Sequence, residues 1–161
     1  MHGLHLTADL YACQGDAKWM LDPNAIAQLC RRQTLESGLT LVDEKWVKFP
    51  DWEGQPGGVT GTVLLAESHL AIHTWPETGN VTLDVYVCNF SGDNSGKAKQ
   101  LLNTVIDAYK PGRIVRNELI RGDISPNAPP AHAAPDEEGW LIDELAPAAA
   151  FSYRGTVLER Q

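Results

Sequence analysis

The sequence predicts an α+β two-layer sandwich, a largely antiparallel sheet with two helices on one face. Three observations lead there. Extended runs with two-residue alternation dominate, as at GLHLTADLYA (3–12), where Leu4, Leu6, Ala8 and Leu10 share one face. Only two stretches carry helical periodicity, giving the order strand, helix, several strands, helix, strand. Short turns such as Gly79-Asn80 join successive strands, which favours antiparallel neighbours over helical crossovers.

The elements follow in order. After the first strand, Asp22-Pro23 opens a helix, with Asp22 as N-cap and Pro23 at the first helical position. Its inner stripe is Ile26, Leu29, Cys30 and Gln33, and Gly38 is a C-terminal stop. Residues 39–49 read as a second strand, and DWEGQPGG before Val59 reads as a loop rich in turn formers. Three further strands occupy 59–66, 70–75 and 81–87, the last two forming a hairpin. Asn94 or Ser95 caps a second helix over 96–109, with Ala98, Leu101, Leu102, Val105 and Ile106 facing inward. Pro111-Gly112 ends it, and 114–120 is the final strand.

Composition narrows the function. At 161 residues the chain suits one domain with a substantial core, and 43% hydrophobic with 21% charged residues is ordinary for a globular protein. No apolar run reaches membrane-spanning length, so no membrane association is expected. MHGLHLTADLY lacks a basic segment followed by an apolar one, so no signal peptide is expected and the location is cytoplasmic. A net charge of -8 speaks against nucleic acid as a partner. Cys13, Cys30 and Cys88 form no CxxC pair and read first as small buried hydrophobes. No GxGxxG or GxxxxGK[ST] fingerprint is present.

The chemistry concentrates in LLAESHLAIHTWPE (64–77), an apparent strand holding Glu67, Ser68, His69 and His73. Glu67, His69 and His73 share a face of a regular strand, a conceivable metal set, although His69 reads by default as a packed or exposed residue. A Ser–His–Asp arrangement of Ser68, a histidine and Asp84 is a second option. It lacks a GxSxG elbow, and Ser68 and His73 point to opposite faces of a straight strand. A third option makes Ser68 the nucleophile for its own backbone. Its hydroxyl attacks the Glu67 carbonyl, and elimination and hydrolysis leave a pyruvoyl group at position 68. That ketone forms a Schiff base with an amine and acts as an electron sink for decarboxylation. The chemistry needs a base, a polarising hydroxyl and a proton donor, and His73, Thr60 and Cys88 are residues of those types.

AESHLAIHTWPE followed by VTLDVYVC resembles the processing-site signature of prokaryotic S-adenosylmethionine decarboxylases, the pyruvoyl enzymes of spermidine biosynthesis. HLTADLYAC, GVTGTVLLA and Arg121-Gly122 extend the resemblance over about 3–122. It implies cleavage between Glu67 and Ser68, with Glu67 ending the small chain and Ser68 becoming the pyruvoyl group. It implies His73 as the processing base, Thr60 as the processing hydroxyl and Cys88 as the proton donor to the substrate carbon. Trp75 would stack on adenine, Glu77 would bond the ribose hydroxyls, and Phe49 or Trp52 would supply a second aromatic wall. The cofactor would be the covalent pyruvoyl group, without metal or pyridoxal phosphate. The partner would be a second copy, in a homodimer of processed protomers whose sheets pack between outer helices.

Some residues depart from the family pattern. Val47-Lys48-Phe49 stands where a His-x-Phe segment is usual, the connection to Thr60 is longer through 51–57, and Asn89-Phe90 follows Cys88 where glycine is common. These changes surround the expected substrate pocket, so L-arginine or L-ornithine remains an alternative substrate, with Asp51 or Glu53 available to a guanidinium. An unprocessed, non-catalytic homologue is a further alternative. On this reading a break in the strand, and not a regular pleat, sets the place of His73 relative to Ser68. Residues 1–122 are then the enzyme domain. Residues 123–161 form a Pro/Ala-rich linker and tail, whose ending FSYRGTVLERQ resembles the opening of spermidine synthases and suggests a fusion or partner.

Overall fold

Alternation in the first strand sets the architecture. In the computed structural model, which describes residues 2–89 and 92–122, β1 (Gly3–Cys13) buries Leu4, Leu6, Ala8 and Leu10. Its neighbour β5 (Asn80–Cys88) buries Val81, Leu83, Val85 and Val87 directly opposite them, in an antiparallel register running Leu4↔Val87 to Leu10↔Val81. Each such leucine or valine contributes about 1.5–3 kcal/mol when fully buried. A one-residue slip would send His5, Thr7 and Asp9 into the core instead, so the register is firmly held.

Six strands make one antiparallel sheet in the order β2-β3-β4-β5-β1-β6, where β2 is Leu41–Lys48, β3 Val59–Leu65, β4 Ser68–Trp75 and β6 Pro111–Arg121. Val59, Val63, Leu65, Leu70 and Ile72 continue the apolar face. Helices α2 (Pro23–Glu36) and α3 (Ser95–Tyr109) add Ile26, Leu29, Cys30, Leu101, Val105, Ile106 and Tyr109 to the same core. This is the expected two-layer α+β arrangement. Within the sheet, Gly61 in β3 leaves the space occupied by the indole of Trp46 from β2.

The helix ends follow local chemistry. Asp22 accepts a hydrogen bond from Asn24 N–H at 2.8 Å, as an N-cap does, and Pro23 follows it. Gly38, at φ 77°, reverses the chain so that Leu39 N–H reaches Thr34 O. Several boundaries differ from the periodicity. A single helical turn, α1 (Lys18–Leu21), precedes α2, too short to leave a periodic signal. At α3 the expected Asn94 side-chain cap is replaced by Asp93, whose carboxylate accepts from Ser95 N–H and is held below its ordinary pKa by Ser95. Lys110, at φ 47°, ends α3, and Pro111 already begins β6, as its place at the start of an edge strand allows.

The stretch 51–58, expected as a loop, folds with Phe49 and Pro50 into a small hairpin. Trp52 and Gln55 exchange both backbone hydrogen bonds at 2.9 Å around Glu53-Gly54, both with positive φ. Phe49 N–H bonds Gly58 O at 2.8 Å and joins the hairpin to β2 and β3. Among the described residues no helix is long and apolar enough to cross a membrane. Phe90 and the tail 123–161, with its spermidine synthase-like ending, lie outside the described residues.

Candidate active site

Strand β4 carries Ser68, His73 and Trp75, and the structure sorts the candidate residues into two groups, one at each end of it. At its beginning, Ala66-Glu67 forms the tight turn from β3, with Leu65 opposite Ser68. The Glu67 carbonyl accepts the Cys88 backbone N–H at 2.8 Å, so the carbonyl of the 67–68 junction faces a fixed dipole. The Glu67 side chain turns to Thr40 N–H at 3.2 Å. Cys88, half-buried at the end of β5, has its own carbonyl held by Asn94 Nδ2 at 3.1 Å. That bond aims the Asn94 amide at the end of β5. Glu67, Ser68 and Cys88 therefore lie together at this end of the sheet.

The second group lies at the far end of β4. His73 Nδ1 and Thr60 Oγ1 are 2.6 Å apart across the β3–β4 pair. The His73 ring tilts against Trp75 at 6.2 Å, and both line a cavity of about 720 Å³ with Phe49, Trp52, Glu53 and Glu77. All four residues expected to contact a substrate thus border one cavity, with Trp52 76% exposed. The hairpin at 49–58 builds its outer wall. Asp51, offered for a guanidinium, instead accepts from Gly57 N–H at 3.2 Å.

These groups do not meet within the chain. The expected break in the strand is absent: β4 pairs in regular register from Ser68↔Val87 to Trp75↔Asn80. Five residues at about 3.3 Å each put His73 roughly 16 Å along the strand from Ser68. The conceivable Glu67, His69 and His73 metal set is also not assembled, because Glu67 bonds Thr40 and His73 bonds Thr60.

Beside Ser68 the structure places His69, whose Nδ1 is 3.4 Å from Ser68 Oγ. The other ring nitrogen, Nε2, lies 3.3 Å from Asp84 Oδ1, and His5 Nε2 approaches the same oxygen at 3.3 Å. Tyr86 packs against both imidazoles, and Arg121 lies 4.5 Å over the Tyr86 ring. Sequence patterning does not mark His5, and His69 reads from it by default as a packed or exposed residue. The signal lay in the polar face of the sheet: His5, His69, Asp84 and Tyr86 alternate with buried residues on β1, β4 and β5. Only the strand register brings them together, through His5↔Tyr86 and His69↔Tyr86. Cys30 is buried and Cys13 partly so, and desolvation raises both thiols, consistent with packing roles.

A family model described as S-adenosylmethionine decarboxylase matches residues 4–122, which span every strand and helix described above. The chain belongs to the S-adenosylmethionine decarboxylase family. The S-adenosylmethionine decarboxylase proenzyme of Picrophilus torridus is 38% identical over 120 residues, covering 74% of this chain and 84% of that protein. The proenzyme of Aquifex aeolicus is 40% identical over 120 residues, covering 74% and 81%. The crystal structure of the adenosylmethionine decarboxylase from Aquifex aeolicus superposes with a TM-score of 0.66 at 37% identity, covering 79% of this chain and 96% of that one. The S-adenosylmethionine decarboxylase fold thus accounts for the sheet and helices.

Proposed function

We propose that this chain is a self-processing, pyruvoyl-dependent S-adenosylmethionine decarboxylase that makes the aminopropyl donor for spermidine synthesis. The observation that carries the reading is the 67–68 junction, where the serine follows a carbonyl already hydrogen-bonded to Cys88 N–H. Attack by Ser68 Oγ converts the amide to an ester. Elimination expels Glu67 as a carboxylate, and hydrolysis consumes one water and releases one ammonia, leaving the ketone at position 68. The pyruvoyl group supplies the electron sink for decarboxylation.

The chain's own residues divide the remaining work. Cys88, beside the junction, gives a proton to the substrate carbon after carbon dioxide leaves. Trp75 with Phe49 or Trp52 sandwiches the adenine, and Glu77 bonds the ribose. Thr60 polarises, and His73 takes the Cα proton of residue 68 during elimination. The separation of roughly 16 Å between Ser68 and His73 supports a homodimer in which each chain lends its Thr60–His73 end to the other's Ser68. The polar, half-buried sheet face that carries Thr60, His69 and His73 is the natural contact surface.

Intact-mass measurement on the purified protein tests processing: two fragments divided before Ser68 are expected in place of the 17.6 kDa chain. Release of labelled carbon dioxide from S-adenosylmethionine, L-arginine and L-ornithine in parallel tests the substrate. An unbroken chain after long incubation overturns the processing, and turnover of either amino acid without S-adenosylmethionine overturns the substrate.

A further inference from the structure

We propose that His69, with its tautomer set by Asp84, is the base that takes the hydroxyl proton of Ser68 in the first step of self-cleavage. The inference rests on the processing reading above and assigns a step to a residue that reading leaves unused. An ionised carboxylate only accepts hydrogen bonds. Asp84 Oδ1 pairs with His5 Nε2 in a hydrogen bond at 3.3 Å and lies at the same distance from His69 Nε2, so the carboxylate charge favours the His69 proton on Nε2. A neutral His69 with its proton on Nε2 has a bare lone pair on Nδ1. That nitrogen faces Ser68 Oγ at 3.4 Å.

Ser68, His69 and Asp84 thus form the nucleophile–base–carboxylate chain that activates a serine, with the two ring nitrogens in reversed roles. His5 is the hydrogen-bond donor that holds Asp84, and Tyr86 packs against both rings. His69 touches the reacting oxygen, whereas Asp84 and His5 are positioning residues. His73 of the same chain is too distant to take this proton, being some five residues or roughly 16 Å along β4.

The step balances. Ser68 Oγ transfers its proton to His69 Nδ1 while Oγ bonds to the Glu67 carbonyl carbon, whose oxygen stays on Cys88 N–H. The bond from that carbon to the Ser68 nitrogen then breaks, and the nitrogen takes the proton back from His69. The products are an ester and a free amine, with no atom gained or lost. Two bases therefore serve two protons: His69 for the hydroxyl, His73 for the Cα–H of the later elimination.

Hydroxylamine, which cleaves an ester but leaves the amide intact, separates these steps. On freshly purified precursor, His73→Ala is expected to accumulate a hydroxylamine-labile junction at 67–68. His69→Gln and Asp84→Asn are expected to keep the amide, with cleavage slowed by about 10²–10⁴-fold, the range for a lost general base. Imidazole added to His69→Ala should restore cleavage, a readout that loss of packing alone would not give. In uncleaved Ser68→Ala, ¹⁵N NMR should show His69 protonated on Nε2. Wild-type cleavage rates in His69→Gln, or a hydroxylamine-labile junction accumulating in it, overturn the inference while leaving the processing reading intact. A change in the wild-type rate on adding EDTA would instead mean that His5, His69 and Asp84 hold a metal ion, and would overturn the relay. An uncleaved wild-type chain overturns the processing reading itself.

Discussion

The amide N–H of Cys88 lies 2.8 Å from the carbonyl oxygen of Glu67, so two steps of the proposed chemistry meet in one residue. Its backbone holds the carbonyl to be attacked, and its thiol is the proposed proton donor. Cys88→Ala keeps the backbone group and removes only the thiol. Intact mass should therefore show cleavage near the wild-type extent, whereas carbon dioxide release from S-adenosylmethionine falls by about 10²–10⁴-fold. Parallel loss of both would mean that the thiol serves processing too.

The proposed division of the site between two chains is open to complementation. Ser68→Ala and His73→Ala should each remain uncut alone. In mixed dimers, formed by co-expression with distinguishable tags, the His73→Ala chain should be cut, because its Ser68 meets an intact His73 from the other chain. If His73 acted on its own chain, the mixture would stay unbroken.

The cavity predicts a binding effect separable from processing. Trp75 is partly exposed beside His73 and lines the cavity, and it is the proposed stacking surface for adenine. Stacking of a base on an aromatic ring is worth about 1–3 kcal/mol, so Trp75→Ala should raise KM for S-adenosylmethionine by about 5–150-fold with cleavage retained. Unchanged KM would move the adenine elsewhere.

Stability should respond sharply at Gly61. A Cβ there would run into the Trp46 indole, and both belong to adjoining strands with little room to part. Gly61→Ala is expected to destabilise the fold by about 1–3 kcal/mol, seen as a lower midpoint in urea. A midpoint equal to wild type would show that the indole swings clear.

Much of this fold was legible because alternation and burial coincide. Leu4, Leu6, Ala8 and Leu10 mark the inner face of β1 as plainly in the sequence as in the structure. The inner stripe of α2, Ile26 to Gln33, is likewise buried as its periodicity requires. The substrate cavity was legible only as residue types, since the 49–58 hairpin needs Glu53 at φ 50°, a conformation that side chain does not advertise. The His5–Asp84–His69 cluster was not legible, because its members lie on three strands and their meeting depends on register. The relation of Ser68 to His73 was misread as a local break, when the sheet keeps β4 straight and places them at opposite ends of it.

The position of the 67–68 junction in the sheet order has a mechanical consequence. A cut there leaves β1, β2 and β3 on one polypeptide and β4, β5 and β6 on the other, yet the order is β2-β3-β4-β5-β1-β6. The small fragment's β1 is threaded between two strands of the large one, while its β3 zips along β4. Severing the backbone therefore yields an interlaced pair, which migrates as one body until denaturant separates it and whose refolding becomes a two-chain, concentration-dependent event.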